Sequence, residues 1–145
     1  MSLRNLLGIS LDSVTPDRAQ LSRLLKAAER NIADARLDGL SPENRFDMAY
    51  KAIMQVAMVA LNANGYRTLT SKPGHHRTVI QALTLTVGLP AQTVIVLDAL
   101  RKQRNASDYS GDVVPDSVAT ECLLRATELL ACVRAWMQAN RPDLL

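Results

Sequence analysis

Apolar residues recur at helical spacing along most of the chain, and the breaks between the apolar stripes are marked by proline, glycine and capping residues. Thr15-Pro16-Asp17 offers an N-cap, a proline at the first helical position and an acid in the first turn. Leu21, Leu24, Leu25, Ala28, Ile32 and Ala35 follow on one face, and Gly39 closes this first predicted helix. Ser41-Pro42-Glu43 repeats the same start, and the second helix runs to Asn64-Gly65, a left-handed C-terminal cap. It carries two apolar stripes: Phe46, Ala49, Ile53, Val56, Ala57 and Ala60 form one, while Tyr50, Met54, Met58 and Leu61 form the other. A helix apolar on most sides belongs in the centre of a bundle or between two protomers, so the first stripe is expected in the core and the second against a partner copy.

The pattern continues with a basic loop from Tyr66 to Gly74, containing Pro73-Gly74, and a third helix from His75 or His76 to Val87, ended by Gly88. Pro90 opens a fourth helix, which carries Val94, Val96, Leu97 and Leu100 and should end near Tyr109, ahead of Gly111 and Pro115. A fifth helix from about Pro115 to Asn140 has Val118, Cys122, Ala126, Leu129, Val133 and Trp136 as its expected buried stripe, and the Arg141-Pro142 tail ends it. Residues 1–14 alternate apolar and polar without clean caps and read as an N-terminal arm with at most one helical turn. No internal repeat and no long linker appears, so residues 1–145 read as a single domain whose short loops make consecutive helices antiparallel. The expected fold is all-α: an up-and-down four-helix bundle with one additional shorter helix.

Composition narrows the class of protein. A chain of 145 residues, 48% hydrophobic, can bury one core without metals or disulfides. Aromatic residues make up only 3%, which disfavours a β-sandwich and a broad base-stacking surface. Cys122 and Cys132 fall ten residues apart in one helix, roughly 15 Å along its axis, beyond disulfide reach. Neither has a second Cys or His at metal-ligand spacing, so no metal or cofactor is expected. No apolar run approaches a membrane span and no signal-peptide pattern is present, which predicts a cytoplasmic protein. The formal charge is only +3, but it is uneven. Between Gly65 and Ala106 stand Arg67, Lys72, Arg77, Arg101, Lys102 and Arg104 against the single acid Asp98.

The chemistry concentrates at the end of the fourth helix. On a helix, Arg101, Arg104, Asn105 and Asp108 share a face roughly 100° wide, with Asp98 at its margin. The plainest account is a solvated face joined by the pairs Asp98 to Arg101 and Arg104 to Asp108. A second account comes from the segment Arg101-x-x-Arg104-Asn105-x-x-Asp108-Tyr109 together with Arg45-Phe46-Asp47-Met48-Ala49-Tyr50-Lys51-Ala52 and His76 after a proline-containing loop. Over about residues 41 to 140 the chain resembles the HEPN superfamily of helical nucleotide- and RNA-binding domains.

That resemblance implies an RNA- or nucleotide-binding domain with a basic cleft at a homodimer interface, working in a toxin-antitoxin pair or beside a nucleotidyltransferase or antitoxin partner. In ribonuclease members an Arg precedes a His by four to six positions, and the two act in metal-independent RNA cleavage. Here Tyr109 follows Arg104 where the His would stand, and a protonated phenol is a poor general base at neutral pH. Arg104 and Tyr109 are then the candidate catalytic pair, with Arg101, Asn105, Asp108 and His76 as ligand-binding candidates. Five residues along a helix also turn Tyr109 about 140° from Arg104, so the two converge only if the helix loosens or a second copy contributes one of them. The alternatives are a toxin-like ribonuclease in which His76 serves as the base, and a non-catalytic helical interaction or dimerisation protein.

Overall fold

The computed structural model describes residues 2–69, 71, 74–111 and 113–145. Lys72 and Pro73 of the expected basic loop lie outside the described residues. The chain is mostly helical, in keeping with the expected class, and it adds one small sheet that the helical pattern does not predict. The helices are α1 (Arg18–Ala35), α2 (Pro42–Ala63), α3 (His75–Gln81), α4 (Leu83–Val87), α5 (Ala91–Ser110) and α6 (Asp116–Asn140). Strands β1 (Leu11–Ser13) and β2 (Tyr66–Thr68) pair antiparallel, with Leu11 opposite Thr68 and Ser13 opposite Tyr66.

Helix α2 is the centre of the molecule. It packs most extensively on α1 and α6, while α3 and α4 lean on it from another side and α5 rests chiefly on α3. Its start follows the sequence grammar: Ser41 Oγ accepts from the Asn44 N–H at 3.1 Å, and Pro42 takes the first turn, where no N–H is needed. It ends at Ala63, and beyond the Asn64 cap the chain turns at Gly65, whose φ of +91° is a left-handed conformation open to glycine and costly for other residues. Arg45 ties this helix to the start of α6 through Asp116 at 2.7 Å.

The structure corrects several expectations. The first helix begins at Arg18, and its cap is Asp17, which accepts from the Ala19 N–H at 3.0 Å, so Thr15 and Pro16 stay outside it. The third helix is divided at Ala82 into α3 and α4, in a stretch crowded with β-branched Thr78, Val79, Ile80, Thr84 and Thr86 that weakens helix propensity. The N-terminal arm holds a 3-10 turn (Leu3–Leu6) and β1, and Leu11 is completely buried. On α6 the buried stripe runs through Ala119 and Met137, with Val118 and Trp136 only partly covered.

The largest correction concerns the stripe assigned to a partner copy. Tyr50, Met54 and Leu61 are buried within the chain, and of that stripe only Met58 is exposed. The reason is that α3 and α5 come from later in the sequence to cover it, with Arg104 of α5 lying over the Tyr50 ring. Among the described residues, no helix is long and apolar enough to cross a membrane.

Candidate functional site

Three helices bring their polar side chains to one open cavity of about 480 Å³. Helix α2 supplies Asp47, Tyr50, Lys51, Met54, Gln55 and Met58, which recur at three- and four-residue intervals and so share one face. Helix α1 adds Leu24, α3 adds His76 and α5 adds Arg104. Leu24, Met54 and Met58 make part of the lining apolar, and Gln55 is held by Asn31 of α1, whose amide donates to it at 2.9 Å.

Arg104 stands with its guanidinium carbon 5.3 Å from the centre of the Tyr50 ring, in cation–π range. Its Nε also contacts Asp108 at 3.3 Å, one turn further on, yet the side chain stays about one-third exposed. A guanidinium holds its charge under all ordinary conditions and presents several N–H donors in a plane, so one carboxylate contact leaves donors for a phosphate or carboxylate ligand. Tyr50 stacks in turn on Phe46, their rings 6.2 Å apart and 8° from parallel, which fixes the phenol within the core.

Although Tyr50 is only 2% exposed, its hydroxyl has no hydrogen-bond partner among the described residues. A buried polar atom without a partner costs free energy, and at the wall of a cavity a ligand can supply what the protein does not. Burial pushes the phenol up to about 12, against the pull of Arg104 and Arg101, so it stays protonated and can donate. His76 lies 6.4 Å from the Tyr50 ring and edge-on to His75 at 4.7 Å. Burial, with the neighbouring His75, Arg104 and Arg101, lowers its pKa, so the imidazole is uncharged at neutral pH. Across the mouth, the carboxyl of Asp47 is raised by burial and by Asp108, with Arg104 opposing.

The residues singled out in the sequence are therefore divided. Arg104 and His76 line the cavity together. Asp108 meets Arg104 but is not part of the lining. Arg101 is engaged elsewhere, its Nε 2.8 Å from Asp98, and both side chains are largely covered. Asn105 is exposed, and Tyr109 is 88% exposed. Helix α5 continues unbroken to Ser110, so Tyr109 is not turned back towards Arg104. The basic excess of the middle segment is also partly neutralised, because Asp12 from β1 reaches Arg67 at 3.2 Å and Asp98 also faces Lys102 at 3.6 Å.

No family model matches this chain, and no curated protein matches it. Tyr50 and Met54, which the helical pattern assigns to an intermolecular stripe, instead line this cavity within one chain. The available signal was the Tyr50 hydroxyl: a tyrosine amid Ala, Ile and Met has a polar end that needs a partner. Among the described residues, no group of three or more His, Cys, Asp or Glu is arranged to hold a metal ion.

Proposed function

We propose that the chain is a HEPN-like helical bundle that binds RNA or a nucleotide through a phosphate held at the Arg104 end of this cavity. The observation that carries the reading is the unpartnered, buried hydroxyl of Tyr50 on a ring whose face is covered by the guanidinium of Arg104. The charged fork and the neutral phenol are both donors, and a phosphate oxygen accepts from both. A single chain forms the whole cavity, so the reading does not need the homodimer, antitoxin or nucleotidyltransferase that the resemblance implies. Fluorescence anisotropy with a labelled single-stranded RNA tests it. Binding should weaken with added salt and fall at least tenfold in Arg104→Ala, whereas Lys102→Ala on the outer face should change it little. Equal affinity of wild type and Arg104→Ala would remove the proposal.

A second reading, metal-independent RNA cleavage, is favoured by the placement of an uncharged His76 at the same cavity. A His76 nitrogen takes the proton of a ribose 2′-hydroxyl and that oxygen attacks the adjacent phosphorus. The 5′-oxygen departs with a proton from water, leaving a 2′,3′-cyclic phosphate and a 5′-hydroxyl. Arg104 stabilises the charge gathering on the phosphate oxygens. In this reading His76→Ala keeps RNA binding and loses the cyclic-phosphate product, and RNA recovered intact after long incubation with wild-type protein eliminates it.

A further inference from the structure

A second cavity of about 240 Å³ opens further along α2, and it shares Leu24 and Met58 with the first. The two are halves of one groove that follows a single face of α2. Tyr50 in the near half and Asn62 in the far half are twelve residues apart, which is about 18 Å along the helix. The far half differs from the near half in its chemistry. It presents an aromatic ring, Tyr66, and the hydrogen-bonding side chains of Gln20, Asn62 and Thr68. The Oδ1 of Asn62 is buried with no hydrogen-bond partner among the described residues, a second orphan polar atom on the same groove.

Resting on the reading of Arg104 as the phosphate anchor, we infer that the groove takes a stretch of single-stranded RNA longer than one nucleotide, with a base of that stretch seated in the Tyr66–Asn62 pocket. A flat ring with an acceptor and donors around it suits a nucleobase, whose face stacks on an aromatic side chain while its edge exchanges hydrogen bonds. An exocyclic amino group can donate to the Asn62 oxygen. The apolar stretch between the pockets, Leu24 and Met58, carries no charge to repel the chain, and the near end has Arg104 as a cation for the backbone. Arg67, between Tyr66 and Thr68 on β2, faces the opposite side of the strand and pairs there with Asp12 at 3.2 Å. One nucleotide joins phosphate and base through a single sugar, which is too short to serve both ends of the groove.

The test compares a labelled RNA hexamer with AMP on the full chain, both measured for wild type, Arg104→Ala, Tyr66→Ala, Tyr66→Phe and Asn62→Ala, with thermal melts to establish folding. Tyr66→Ala should weaken the hexamer about tenfold, the size expected for a lost stacking contact. Tyr66→Phe keeps the ring and should retain affinity, Asn62→Ala should weaken the hexamer severalfold, and AMP affinity should be the same in all three. Should Tyr66→Ala not fold, the exposed Gln20→Ala takes its place, with a severalfold loss expected for a lost hydrogen bond. Hexamer affinity unchanged in the folded far-pocket variants, but lost in Arg104→Ala, overturns this inference and leaves the phosphate anchor standing. AMP weakened as much as the hexamer by those variants also overturns it, since one nucleotide would then fill both pockets. A hexamer that does not bind wild type, or that binds Arg104→Ala equally well, overturns the anchor and the inference together.

Discussion

Helices α2 and α5 are of similar length and do opposite work. Of the 22 residues in α2, 12 are buried; of the 20 in α5, only Leu97 and Leu100 are. The first is held by α1, α6, α3 and α4, whereas the second rests mainly on α3 and leaves Ile95 60% exposed. Stability therefore resides in α2, and α5 is free to carry charged groups that are not needed for folding. The candidate site lies where the two meet: the fixed helix supplies a rigid phenol and an apolar floor, and the lightly packed one supplies the cation.

The sharpest way to break that contrast is to truncate one isoleucine on each helix. Ile53 on α2 is wholly buried, so Ile53→Ala should cost about 2–5 kcal/mol through lost apolar burial and a residual cavity. Ile95→Ala on α5 should stay within about 0.5 kcal/mol. Urea denaturation of the two variants gives the difference directly, and a gap below about 1 kcal/mol would refute the division of labour. Leu11→Ala extends the test to the arm. Its side chain is as inaccessible as that of Ile53, so a loss of about 2 kcal/mol or more is expected, and a neutral result would mean that β1 adds nothing to the core.

Leu11 also shows where the sequence stops being informative. The helices were legible because their apolar stripes are long and their starts are written in residues such as Ser41-Pro42 and Pro90. A three-residue strand has no such redundancy. The pairing of Leu11–Ser13 with Tyr66–Thr68 joins segments more than 50 positions apart, and nothing local announces it. The site was legible in part for the same reason. Asp98 to Arg101 and Arg104 to Asp108 are intrahelical pairs, readable from spacing, and both are present. That His76 and Tyr50 should stand beside Arg104 depends on how α3 and α5 fold over α2, which periodicity does not encode. Tyr50 looked like half of an intermolecular surface because one helix, read alone, cannot reveal which later segment covers it.

The two arginines of α5 refine the comparison at smaller effect. Arg101 donates to a largely covered Asp98, and its removal leaves that carboxylate only the more distant Lys102, so Arg101→Ala should cost about 1–2 kcal/mol. The bond with Arg101 holds the Asp98 carboxyl below its ordinary value, so its contribution is present above the carboxylate range and disappears as pH falls through it. Arg104→Ala, in contrast, loses one partly exposed ion pair and a cation–π contact, together worth about 1 kcal/mol or less, while it abolishes the proposed phosphate anchor. Denaturation curves and RNA affinity measured on the same two variants should therefore rank them in opposite orders. If Arg104→Ala proves the more destabilising, the residue is structural and the alternative of an interaction protein gains.

The subtlest effect is in pH, and it separates folding from binding at a single residue. His76 has a pKa below its ordinary 6.5 in the folded chain, chiefly through burial and then through His75, Arg104 and Arg101. The unfolded chain thus binds the proton first, so stability is greatest above about pH 6.5 and declines as pH falls towards the folded value. His76→Gln should flatten that decline. Tyr50, pushed up to about 12, stays protonated across this window, and because burial and Asp108 push the Asp47 carboxyl upward, Asp47→Asn and His75→Gln are the controls. A phosphate at Arg104 reverses the sign for binding, because an anion beside His76 favours the imidazolium. RNA affinity should rise between pH 7.5 and 5.5 while stability falls, and only His76→Gln should remove both slopes. Parallel slopes for affinity and stability would place the phosphate away from His76, and with it away from the cavity where α5 meets α2.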